Sequence, residues 1–135
     1  MSSPGPELSE TSRILLKKAA EDATAVREFA GNPEIADNII GFHAQQAVEK
    51  WLKAVTAANG SRHAGIHDID RLIELVEATG VEVPVDRDRL SVLTQYAVPL
   101  RYDELLDVES LEREVLVALV DEVAAWVVQV GSSGE

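Results

Sequence analysis

The stretch from Asn32 to Gly60 constrains the fold more than any other part of the chain. Its apolar residues Ile35, Ile39, Phe42, Ala47, Trp51, Leu52 and Val55 recur at helical spacing and wind around much of the helix circumference. A helix that is apolar on so many sides must be covered on several sides, so other helices have to surround it. Its ends are signalled as well. Asn32 can accept from free amides, Pro33 is pre-set for a first helical position and Glu34 suits the positive end of the dipole, while Asn59-Gly60 supplies a stop.

The neighbouring segments carry the same period. A first helix is predicted over about 9–30, opening near Ser9 and carrying Ile14, Leu15, Ala19, Val26 and Phe29 up to Gly31. Beyond a polar loop over 61–67, Asp68 opens a short helix that stops at Gly80. The Val81-Glu82-Val83-Pro84-Val85 stretch is β-branched but has no second strand to pair with, and reads as an extended connector. A fourth helix is expected over 86–100 on Leu90, Leu93, Ala97 and Leu100, with Pro99 placed to kink its last turn. A polar loop over 101–108, with Asp107 as a cap candidate, leads to a last helix through Leu111, Val115, Leu119, Val123, Trp126 and Val130. The fold class is therefore all-α, an antiparallel up-down bundle of about five helices. With 135 residues, 46% of them hydrophobic, the chain can bury one core but not comfortably two. Residues 1–8 read as a disordered leader, 9–130 as one helical domain and 131–135 as a flexible tail.

Composition excludes several function classes. The chain has no cysteine, which removes disulfides, thiolate nucleophiles and Cys-ligated metals and fits a reducing cytoplasm. No apolar run approaches the ~20 residues of a membrane span. With 24 acidic against 12 basic residues the net charge is −12, a field that repels phosphate backbones and argues against DNA coating. What matters is where the basic residues gather.

They gather in three places. On the central helix, His43, Gln46, Lys50 and Lys53 fall at i, i+3, i+7 and i+10, forming one polar stripe. Such a stripe can hold phosphate or base edges, since Lys gives point charges, Gln a paired donor and acceptor, and His a group that titrates near neutrality. Solvated side chains and ordinary helix ion pairs, such as Glu49 with Lys53, explain the same spacing. Arg62, His63, His67 and Asp68 form a second group, in which Asp68 suits a helix cap. The chain has three histidines, but none of them forms the helical pair typical of metal sites, and no metal is expected. Tyr96, Arg101 and Tyr102 form the third, where an Arg between two phenols can clamp a phosphate or tie the structure together.

The run Phe42-His43-Ala44-Gln45-Gln46-Ala47-Val48-Glu49-Lys50-Trp51-Leu52-Lys53-Ala54, followed by His67-Asp68-Ile69 and then Tyr96 with Arg101-Tyr102, resembles the prokaryotic HEPN family, a helical module associated with nucleotides and RNA. The resemblance spans roughly residues 9 to 130. It implies a cytoplasmic homodimer that pairs with a separately encoded minimal nucleotidyltransferase in a two-component, toxin–antitoxin-like system. It also implies a nucleotide or RNA ligand and no resident cofactor. By the same resemblance His43, Gln46, Lys50, Lys53, His67, Asp68, Tyr96, Arg101 and Tyr102 become the ligand-site candidates.

Another branch of that family consists of metal-independent RNases, which use Arg and, a few residues later, His for attack by a 2′-hydroxyl. Arg62 and His67 match that spacing, yet they precede the third helix, whereas the nuclease pair belongs near the last one. No His follows His67, and Arg101 has Asp107 where that branch needs a proton-transfer His. Arg62, His67 and Arg101 are thus the catalytic candidates of an alternative RNase toxin, and a purely structural dimerisation bundle is a third reading.

Overall fold

A computed structural model describes residues 6–58, 65–97 and 111–133. Among these residues five α-helices follow in order: α1 (Pro6–Ala30), α2 (Asp37–Ala58), α3 (Ile69–Ala78), α4 (Arg87–Val92) and α5 (Arg113–Ser133), with a 3₁₀ turn at Leu93–Ala97 after α4. No strand occurs among the described residues, and residues 81–85 form neither helix nor strand. The all-α expectation holds.

The register follows from side-chain ties. Ser12 Oγ donates to the Ala54 carbonyl near one end of the α1–α2 pair, Asp22 bonds Lys50 in the middle, and Phe29 meets His43 near the other end. These pairings run in opposite directions, so α1 and α2 are antiparallel. Arg27 pairs with Asp121 and Arg113 reaches the end of α1, which makes α5 antiparallel to α1 as well. Ala19, Ala23 and Val26 of α1 close against Ala44, Ala47, Val48 and Leu52 of α2, and Leu116, Val120 and Val123 of α5 complete the core. Small side chains along α1 and α2 let the two backbones approach closely, which is how α2 comes to be covered on several sides.

Several boundaries differ from the sequence expectation. Helix α1 starts at Pro6, inside the stretch read as leader, because the proline ring suits a first helical position. Helix α5 continues through Gly131 to Ser133, inside the stretch read as tail. Helix α2 starts at Asp37 rather than beside Asn32. Asn32 Oδ1 does accept from the Glu34 amide at 2.9 Å, but it closes a turn and not the helix. The expected fourth helix is split, with Asp86 capping α4 and Leu93–Ala97 tightening to 3₁₀. In that tighter turn residues three apart eclipse, so Leu93 and Tyr96 both enter the core. Pro99 and Asp107 lie outside the described residues.

The turn between α1 and α2 is organised by Arg113. Its Nη1 donates to the carbonyls of Phe29 (3.4 Å), Ala30 (3.2 Å) and Asn32 (3.0 Å), and its Nη2 to that of Ile35 (2.5 Å). Its Nε donates to Asp37 Oδ1 at 2.8 Å. A single guanidinium thereby satisfies the free carbonyl end of α1 and fixes where α2 begins. Arg113→Lys keeps the charge but lacks the planar fork that spans these acceptors. It is expected to destabilise the fold by about 1.5–3 kcal/mol in urea unfolding. A change within about 0.5 kcal/mol, the range of an ordinary surface substitution, would contradict this role.

Candidate functional site

The polar stripe of α2 lies where the core would otherwise close. Two carboxylates organise it. Asp22, on the core-facing side of α1 between Ala19, Ala23 and Val26, accepts from Lys50 Nζ through Oδ2 at 2.5 Å and bonds His43 Nδ1 through Oδ1 at 3.0 Å. Its side chain is only 13% exposed. Phe29 and Phe42 stand edge-on to the His43 ring at centroid distances of 5.8 Å and 5.4 Å, which holds the imidazole between them.

Glu49 is the second carboxylate and is buried inside the bundle. Its Oε2 bonds Lys53 Nζ at 2.8 Å and His67 Nδ1 at 3.0 Å, and its Oε1 accepts from Gln45 Nε2 at 2.6 Å. Burial alone would push the Glu49 carboxyl up. The hydrogen bonds from Lys53, Gln45 and His67, with the charge of Lys53, outweigh burial and hold it below the usual carboxylate range. An ionised carboxylate only accepts, so its charge sets the direction of each bond around it. Gln45 must donate to Glu49, which leaves the Gln45 carbonyl to accept from Gln46 Nε2 at 2.7 Å. His67 must carry its proton on Nδ1.

The structure therefore joins His43 with Lys50 through Asp22, and joins Gln46 with Lys53 and His67 through Gln45 and Glu49, with His67 arriving from the segment before α3. Asp68 and Tyr96 stand elsewhere in the hydrogen-bond pattern. The Asp68 side chain accepts from the Asp70 amide at 2.9 Å as the N-cap of α3. The Tyr96 hydroxyl accepts from the Leu111 amide at 3.0 Å, and its ring lies on Gly41, where a Cβ would overlap it. Arg62, Arg101 and Tyr102 lie outside the described residues. Sequence reasoning missed Asp22 and Gln45 and saw Glu49 only as a partner of Lys53. The available signal was an acid on the apolar face of each helix: Asp22 shares a face with Ala19 and Val26, and Glu49 shares one with Leu52.

A carboxyl held low in the fold contributes stability that is complete above its unfolded value and is lost as the pH falls through the folded one. Glu49 starts from 4.5, so its contribution is present above about pH 4.5 and drains away below it. The loss of stability between about pH 5 and about pH 3 is expected to be shallower in Glu49→Gln than in the native chain. Parallel acid-unfolding curves for the two would remove Glu49 from this role.

Comparison with known proteins gives the family of the chain as a whole. No helix among the described residues is long and apolar enough to cross a membrane. Among solved structures, the crystal structure of TT1696 from Thermus thermophilus is similar, at 26% identity and a TM-score of 0.65. The match covers 87% of this chain and 96% of that one. No curated protein matches the chain. The family model for the HEPN domain matches residues 12–130, from the first turns of α1 to the end of the α5 core, and the chain belongs to the HEPN domain family.

Proposed function

We propose that this HEPN protein is a cytoplasmic, homodimeric accessory partner of a separately encoded nucleotidyltransferase, in a two-component, toxin–antitoxin-like system. In that role it binds a nucleotide or an RNA element on the polar face of α2 and does not perform the bond chemistry itself. The observation that carries the reading is the cost of that face. A buried ion pair such as Glu49–Lys53, with side chains 7% and 11% exposed, offers stability little better than apolar residues of the same volume would. A bundle that keeps such a pair, extends it through Gln45 to Gln46 and joins it to His67 carries polar groups fixed in place, as a binding surface requires. His67, 68% exposed, and Gln46 and His43, partly exposed, are the members that a ligand can reach.

Calorimetric titration with ATP, GTP and their monophosphates tests the ligand half of the proposal. Saturable heat with at least one of them is expected. Gln46→Ala should weaken that binding by roughly threefold to tenfold, the worth of one ordinary hydrogen bond. An absence of heat with all four would overturn nucleotide binding and leave the partner role alone.

A further inference from the structure

The charge balance of the α2 face says which part of a nucleotide it can recognise. This inference rests on the nucleotide-binding reading above and deepens it. Lys50 and Lys53 are the cations that suggested phosphate binding from the sequence alone. In the fold each is paired one to one with a carboxylate, Lys50 with Asp22 at 2.5 Å and Lys53 with Glu49 at 2.8 Å. With both imidazoles neutral, the two positive and two negative groups cancel. The net charge of the whole chain is −12, a long-range field that repels phosphate rather than drawing it to the face. Among the described arginines, Arg27 is paired with Asp121, Arg87 with Asp70, Glu74 and Glu77, and Arg113 with Asp37.

The remaining hydrogen-bonding groups of the face share one character. A carboxylate accepts only, so Asp22 and Glu49 each require the proton of their histidine on Nδ1, at 3.0 Å in both cases. In a neutral ring that leaves Nε2 as an acceptor. Gln46 spends an amide proton on Gln45, which leaves its carbonyl to accept from outside. His43 and Gln46 are one turn apart on the same side of α2, so their acceptors are neighbours.

We propose that the polar face of α2 recognises the uncharged nucleoside part of its ligand through hydrogen-bond donors, with His43 Nε2, the Gln46 carbonyl and His67 Nε2 as acceptors, and makes no productive contact with phosphate. Ribose hydroxyls and the exocyclic amine of a base both offer such donors. Asp22 and Glu49 act as positioning residues: they neutralise the lysines and fix which nitrogen of each imidazole is presented.

The test compares adenosine, AMP and ATP by calorimetry on the full chain at about pH 8, where an ordinary imidazole is neutral. The three ligands are expected to bind within about threefold of one another, a spread under about 0.7 kcal/mol. A gain of about tenfold or more from adenosine to ATP would overturn the proposal while leaving nucleotide binding intact. Binding by none of the three would overturn the nucleotide reading and this inference with it. The same titration with 2′,3′-dideoxyadenosine distinguishes the donors: a loss of about tenfold or more assigns them to ribose and an unchanged affinity to the base, by the worth of one or two hydrogen bonds. Asp22→Asn keeps an oxygen for His43 but leaves the charge of Lys50 uncompensated. It is expected to create a preference for ATP over adenosine that the native chain lacks, and an unaltered ratio in the folded variant would contradict the charge-cancelling role of Asp22.

Discussion

A carboxylate inside a helical bundle stays ionised only if donors surround it, and the arrangement around Glu49 follows from that requirement. Three side chains from two parts of the chain converge on its two oxygens: Lys53 and Gln45 from one turn of α2 on either side, and His67 from the entrance to α3. Because the carboxylate only accepts, it dictates the orientation of the Gln45 amide, through it that of Gln46, and the tautomer of His67. Asp22 repeats the device between α1 and α2, with Lys50 and His43 as its partners. The polar face is thus a set of groups whose directions are fixed from inside the protein.

The bundle makes this possible by surrounding α2. The antiparallel α1 brings Asp22 to the middle of the helix, and the segment before α3 brings His67 to Glu49. Arg113 holds the α1–α2 turn at four carbonyls and one carboxylate, so the register that places Asp22 opposite Lys50 is anchored at the end of the hairpin. Tyr96 lies on the bare backbone at Gly41, and the 3₁₀ turn that carries it can therefore pack directly on α2. Burial of charge at this level is a cost, repaid only where geometry is good and lone pairs are satisfied. The chain of bonds ends at the exposed imidazole of His67.

The helices were legible because a 3.6-residue apolar period depends on local sequence alone. Where a distant residue intervenes, the sequence signal misled. Asn32-Pro33-Glu34 has the chemistry of a helix start, yet the carbonyls of Asn32 and Ile35 are taken by Arg113 from the far end of the chain, and the helix begins at Asp37. The stripe of His43, Gln46, Lys50 and Lys53 was legible for the same reason as the helix, since all four lie on one element. Its electrical character was not. The sequence shows two lysines and suggests a basic surface, whereas their compensation depends on Asp22 arriving from α1 and on Glu49 facing inward, both consequences of packing.

The central claim is that buried carboxylates fix the histidines of this face, and the nitrogen spectrum of the imidazoles tests it most directly. At about pH 8, where an ordinary imidazole is neutral, long-range proton–nitrogen correlation is predicted to show both His43 and His67 protonated on Nδ1. Observation of the Nε2-protonated form at either residue would contradict the account.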